Sequence, residues 1–365
     1  MYSMNEAREV GPVVRASVGA ILRNQDRSGA FVASPDFKQY QYCWLRDGSF
    51  TAYALDRAGE HEAARRFHAW CARAIGGVAP LVEGALARHR AGQAADPASM
   101  PPARFALAGD AVDDGWPNFQ IDGYGTWIWA LGEHVRLGGA PLPAEWLPAL
   151  RLAADYIDEL GTSPCFDVWE EAGGEVHTVT LACVASGLRA ASRLLDERHF
   201  EERAGALRAS LLAGAARDGW FVKSDRCRDI DGALLWLCEP LRVVEPGEAC
   251  FVETQRRIVA ELELGGGVRR YPVDTYYGGG AWPVLTASLG LCYAASGDMT
   301  GARRCMEWVA DRVDTEGRLG EQYGGERRDP EHYELWVQRW GPPAADLVWS
   351  HAMCATLAVD IADRA

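Results

Sequence analysis

Helical periodicity recurs along nearly the whole chain, while the period-two alternation of a half-buried strand is almost missing. About twelve helical patterns follow one another, starting near Gly11, Asp47, His61, Gln120, Pro143, Val176, Phe200, Asp229, Ala249, Ala281, Met299 and Ala345. Gly59 closes the second, Gly138 and Gly139 the fourth, and Gly297-Asp298 separates the tenth from the eleventh. The run AWPVLTASLGLCYAASG is apolar nearly all round, as a helix packed on several sides must be. Its successor MTGARRCMEWVADRV is amphipathic, the pattern of an outer helix. Buried and amphipathic helices alternating along the chain predict an all-α fold, an (α/α)6 barrel made of six helical hairpins. No Pro/Ser-rich linker divides the chain, so residues 1–365 are expected to form one domain without an accessory domain. Residues 77–112 stand out as a long, Ala/Pro-rich, partly helical excursion; such segments are usually functional or disordered.

Composition narrows the partners. A formal charge of −14 over 365 residues argues against nucleic acid and anionic membranes, which require clustered Lys and Arg. It is compatible with a neutral ligand. Residues 1–15 include Glu6, Arg8, Glu9 and Arg15 and contain no apolar h-region, which predicts a cytoplasmic location. No stretch approaches the roughly 18 apolar residues of a membrane span. The ten cysteines sit singly, with no C-x-x-C pair, so a zinc site is not expected and a reducing compartment is. Fourteen tryptophans are many for this length, and aromatic faces suit the apolar faces of pyranose rings as well as they suit a core.

Polar and aromatic residues concentrate in five segments between helices: YQYCWLRDG (40–48), DGWPNFQIDG (114–123), FDVWEEAGG (166–174), RRYPVDTYYGGGAW (269–282) and GRLGEQYGG (317–325). In a toroid, alternate loops open on the same rim, so the five are expected to line one funnel. Taken singly, each reads equally well as an ordinary surface contact.

Two glutamates in these loops have the makings of an acid and a base. Cleavage of a glycosidic bond needs one carboxyl protonated, to assist the leaving oxygen, and one ionised, to activate water or attack. Glu170 follows Phe166 and Trp169, and aromatic burial beside Glu171 would disfavour its charged form, which suits an acid. Glu321 lies in a glycine-flanked loop that lets water approach, which suits a base. Spacing along the chain leaves the stereochemistry open: about 6.5–9.5 Å between the carboxyls would mean inversion, about 5–5.5 Å retention.

At these five loops the sequence resembles the glucoamylase family, glycoside hydrolase family 15. The similarity runs in matching order from GAFVASPDFKQYQYCWLRDG to DLVWSHAMCATLA, and RRYPVDTYYGGGAW is its strongest single match. The resemblance implies an (α/α)6 barrel and an inverting, exo-acting hydrolase that releases β-glucose from short α-glucosides. It implies Glu170 as general acid, Glu171 as its substrate-binding neighbour, and Glu321 as the base, with Tyr40 and Gln322 holding the water. Arg46 and Asp47 would clamp hydroxyls of the non-reducing glucose, with Arg270 as a second guanidinium. Trp44, Trp116, Trp169, Tyr276, Trp282 and Trp349 match positions around the family's pocket; plain core packing is an equal reading for Trp282 and Trp349.

Departures refine the expectation. Val273 replaces an acidic residue common in fungal members, and neither a starch-binding domain nor an amino-terminal β-sandwich is visible. The plan is similar to the single-domain isomaltose glucohydrolases of the family, so isomaltose and isomalto-oligosaccharides are the expected partners, ahead of maltose-like ones. The tryptophan-bearing stretch 327–343 is expected to wall the site after the bond cleaved. No cofactor is called for, and no metal-ligand spacing is visible. The alternatives are an α-1,4-glucoamylase or trehalase of the same family and, in another class, a sugar epimerase on an α/α toroid. The epimerase would need central histidines, for which only His177 and His351 lie near the loops.

Overall fold

The computed structural model describes residues 6–112, 114–138, 140–324 and 329–364. Gly139, Gly325, Arg327 and Arg328, which figure in the sequence reading, lie outside these residues.

Five helices are buried on nearly every side: α2 (Leu45–Arg57), α5 (Asp122–Arg136), α7 (Thr178–Leu195), α10 (Pro283–Ala295) and α13 (Val348–Asp363). With a short 3-10 segment, Gly232–Leu237, they close a ring. α2 packs on α5, α5 on α7, α7 on the 3-10 segment, that segment on α10, α10 on α13, and α13 back on α2. Six further helices cover the ring: α1 (Glu6–Arg23), α3 (His61–Gly77), α6 (Leu147–Leu160), α8 (Arg198–Asp218), α9 (Ala249–Leu262) and α11 (Met299–Ala310). The result is an (α/α)6 barrel with one inner member reduced to two turns of 3-10 helix.

That reduced member corrects the helix expected from Asp229. Asp231 caps the segment by accepting from the Ala233 amide at 2.9 Å, so the start is as the sequence reads. Pro240 then removes a backbone donor and disfavours helical geometry in the residue before it, so the turn cannot propagate. All six residues of the segment are buried all the same.

Close approach between inner helices rests on glycine. A Cβ at Gly187 would lie 2.6 Å from the Gly125 carbonyl oxygen, and one at Gly125 would lie 2.6 Å from that of Cys183. α5 and α7 therefore touch backbone to backbone, which no larger residue permits.

The excursion at 77–112 is held against the barrel. α4 (Ala79–Arg90) packs on α6, and Arg104–Phe105 then pairs antiparallel with Cys43–Trp44. The buried Arg104 guanidinium stacks 3.9 Å over Trp116 and 5.3 Å over Trp44, and pairs with Asp114. The excursion thus fastens two of the five polar loops to each other. A last helix, α12 (Pro330–Trp340), packs on the turn Tyr276–Gly278, with Trp336 edge-on to Tyr276 at 5.0 Å. It occupies most of the stretch expected to wall the site.

The ten cysteines are unpaired and eight are buried, as small apolar residues of the core. Among the described residues no helix is long and apolar enough to cross a membrane.

Candidate active site

Each inner helix begins beside one of the polar loops, so the barrel gathers those loops at one end. There a cavity of about 280 Å³ opens. Its lining draws on all five loops, including Tyr40, Trp44, Arg46 and Asp47 from the first, and Trp116 from the second. Trp169, Glu170 and Glu171 come from the third, Arg270, Tyr276 and Trp282 from the fourth, Glu321 from the fifth, and Trp349 from the start of α13. Of the residues expected at the site, only Gln322 does not line it. Its amide accepts from the Gly280 N–H at 2.9 Å and donates to the Tyr276 carbonyl at 3.3 Å, tying the fourth loop to the fifth.

Glu170 is built into a taut loop. Its φ is +68° and that of Ala172 is +50°, left-handed values that side-chain-bearing residues adopt only when the surroundings impose them. Asp167 imposes them here: its carboxylate accepts from the amides of Trp169 at 2.9 Å and Glu171 at 2.8 Å. Lys223 lies 3.1 Å from Asp167 and donates to Asp231 at 2.7 Å, and the Trp169 indole also donates to Asp231. Burial alone would pull the Lys223 ammonium down, but Asp231 and Asp167 outweigh it and hold the charge.

The Glu170 carboxyl is addressed on one oxygen. The Trp44 indole donates to Oε1 at 2.6 Å and the Gln120 amide at 3.1 Å, with an Arg46 nitrogen 3.9 Å away. Glu171 turns elsewhere: Tyr271 donates to its Oε2 at 2.5 Å and Arg270 lies 3.4 Å from Oε1. The sequence argument for burying Glu170 is therefore reversed. Its side chain is 17% exposed and Glu171 is drawn off by Arg270, whereas Glu321 is 1% exposed. Burial pushes the Glu321 carboxyl up to about 7, against the Tyr40 hydrogen bond that lowers it. Tyr40 donates to Glu321 Oε1 at 2.8 Å, and the Tyr276 hydroxyl sits 2.8 Å from that of Tyr40.

A polar wall is formed by Arg46 and Asp47. The Arg46 fork is anchored from behind, donating to Gln120 at 3.0 Å and to the fully buried Asp122 at 2.9 Å. Asp47 is 3.3 Å from the Arg46 Nε, and burial still pushes its carboxyl up to about 6, because the guanidinium offsets only part of the desolvation. The indole nitrogens of Trp116, Trp282 and Trp349, three residues of the lining, are buried without a hydrogen-bond partner among the described residues. Arg270 is clamped by Asp274 at 2.8 and 2.5 Å and lies 4.9 Å over Tyr276.

Sequence reasoning missed Gln120 and Asp122, which lie in the quoted second loop but whose roles need the fold, and Arg104; Trp336 and Trp340 line the cavity from the tryptophan-bearing stretch expected to wall it. Val273 is 70% exposed and does not line the cavity. His177 is bonded to the carbonyls of Cys165 and Ala172, and His351 to Asp346, so neither faces the cavity. That arrangement removes the central histidines an epimerase would need.

Comparison with known proteins agrees with this geometry. The chain is 35% identical over 98% of its length, and 94% of the relative's, to an isomaltose glucohydrolase of Kribbella flavida. It superposes on a glycosidase variant solved in complex with glucose with a TM-score of 0.93, at 34% identity and 99% coverage of both chains. A glucoamylase from Saccharomycopsis fibuligera shares the fold, with a TM-score of 0.74 at 15% identity, over 99% of this chain and 96% of that one. Residues 13–316 match the model of glycosyl hydrolases family 15, and the chain is a glycoside hydrolase belonging to that family.

Proposed function

We propose that this glycoside hydrolase removes single glucose units from the non-reducing end of short α-glucosides with inversion, isomaltose and isomalto-oligosaccharides being favoured, and that residues 1–365 act as one catalytic unit. Glu170 is the general acid and Glu321 the general base. The observation that carries the pairing is that one short loop addresses both carboxyls: Tyr40 bonds Glu321 and Trp44 bonds Glu170, with the two rings 5.7 Å apart.

The chemistry follows from the surroundings of each group. Both donors to Glu170 fall on Oε1, so Oε2 is left to carry the proton that the glycosidic oxygen takes as the bond breaks. Glu321, its affinity for protons raised by burial, removes a proton from water more readily than an ordinary carboxylate would. Water attacking the anomeric carbon opposite the leaving oxygen yields β-glucose. Asp47 and Arg46 receive the hydroxyls of the terminal glucose, and a fixed guanidinium fork suits that task better than an ammonium.

Preference for short substrates is supported by the cavity's size, slightly below the usual ~300–1,000 Å³ of small-molecule sites, and by Trp336, Arg339 and Trp340 of α12 at its edge. The Kribbella flavida relative is named for isomaltose, which favours the α-1,6 linkage. Initial rates on isomaltose, maltose, trehalose and soluble starch test the reading. Isomaltose should lead, and starch or trehalose in first place would refute it.

A further inference from the structure

At the end of the barrel away from the sugar cavity, three chain-distant polar residues meet in the core. Asp56 comes from the last turn of α2, His68 from the middle of α3 and His134 from the end of α5. Ten residues of helix separate Asp56 from Arg46, about 15 Å at 1.5 Å per residue, so the cluster stands apart from the catalytic groups. All three are buried, and one ligand atom from each lies within 4.8 Å of the others.

Hydrogen bonding accounts for only part of this arrangement. His134 Nδ1 lies 2.8 and 3.0 Å from the two Asp56 oxygens, and His61 Nδ1 lies 2.8 Å from Oδ1. His68 has no such explanation. It is fully buried, its ring 4.9 Å from that of His134, and neither of its nitrogens has a hydrogen-bond partner among the described residues. Leaving a buried polar group unpaired is destabilising, and a phenylalanine would pack beside Phe67 and Trp146 without that penalty.

We propose that Asp56, His68 and His134 form a binding site for a divalent zinc ion that staples α2, α3 and α5 together. Two imidazoles and a carboxylate are a donor set suited to zinc. Ligand atoms of one zinc tetrahedron stand about 3.3 Å apart, given Zn–N and Zn–O lengths near 2.0–2.1 Å, so small side-chain rotations close the site. His61, 37% exposed, meets Asp56 Oδ1 through its Nδ1 at 2.8 Å and so orients that ligand from the solvent side. The sequence conceals this site because its ligands are 12 and 66 residues apart and none belongs to a short ligand motif.

The test uses the full chain stripped with EDTA, then equilibrated with Zn(II) or, as a spectroscopic probe, Co(II). About one equivalent should be retained after desalting, and zinc should raise the melting temperature reversibly. The cobalt form should show tetrahedral d–d bands without a thiolate charge-transfer band, which separates this site from the ten free cysteines. His68→Gln and Asp56→Asn should abolish retention. Should those buried variants not fold, His61→Ala at the mouth should weaken binding about tenfold or more while glucoside hydrolysis is unchanged. Less than about 0.1 equivalent on the wild-type chain, a thiolate band, or affinity indifferent to His61→Ala would each overturn the proposal.

Discussion

Tyr40 donates its hydroxyl to Glu321 Oε1 at 2.8 Å, so the more buried of the two opposed glutamates is held by the same loop that holds its counterpart through Trp44. A hydroxyl has one proton, so with Tyr40 donating to Glu321, the 2.8 Å contact to Tyr276 makes Tyr276 the donor to Tyr40. Two phenols thus back one carboxylate and set its orientation.

Tyr40→Phe should move the acidic limb of the pH profile upward. The lost bond favours the ionised form of Glu321, so without it the carboxyl holds its proton to higher pH. In the wild type, kcat/KM should fall as pH drops through about 7, where Glu321 protonates. The variant should show the same fall about one to two units higher, in line with the ~1.5–3 kcal/mol of a hydrogen bond to a charged group. A pH–rate profile on isomaltose measures both limbs.

Glu170→Gln and Glu321→Gln should each lower kcat by about 10²–10⁴-fold, the usual contribution of a positioned acid or base. Glucose affinity, read by calorimetry, should change little in Glu170→Gln, because an amide keeps the shape and loses only the proton. Near-normal turnover of either variant would remove it from the assignment.

Glu321→Gln should also alter stability in a pH-dependent way. A folded-state value near 7 against an ordinary 4.5 means that the folded chain binds the extra proton between those values. Stability is therefore full below about 4.5 and declines as pH rises through 7, by about 3 kcal/mol in all. The amide has no charge to bury, so the variant should gain on the wild type at pH 8 and lose that gain at pH 4. Paired thermal melts at the two pH values check the sign.

Asp47→Asn should cost about 10–100-fold in kcat/KM, since a charged acceptor for a sugar hydroxyl becomes a neutral one, while Asp122 still holds Arg46 in place. Trp336→Ala should act differently, raising KM for disaccharides and narrowing their advantage over longer chains, because it lines the cavity as an apolar face packed on Tyr276 and carries no group that bonds either carboxyl. Rates across a maltooligosaccharide and isomaltooligosaccharide series separate the two effects.

Much of this architecture was legible in spacing. The 3.6 period marks each helix of the inner ring and of its outer cover, though not α12, and the alternation of all-round apolar and amphipathic runs distinguishes the two layers. The five polar loops are conspicuous because they interrupt that period. What spacing does not carry is the third dimension. Nothing local distinguishes Glu170 from Glu321 in burial, because burial is decided by Tyr40, Tyr276 and Trp44 arriving from distant loops. The segment 232–237 reads as a helix until Pro240 is given its full weight as a stop. Arg104 looks like a stray charge in an Ala/Pro-rich excursion until its strand pairs with Cys43–Trp44. His68 reads as an ordinary core histidine until its two bare nitrogens are seen beside Asp56 and His134.

The central claim is that Glu170 and Glu321 act as an acid and a water-activating base across one sugar. Proton NMR of the first sugar formed from isomaltose, followed faster than mutarotation, tests it most directly. β-Glucose is the expected initial anomer. Initial α-glucose would mean retention, with one of the two carboxylates attacking the anomeric carbon itself, and would contradict it.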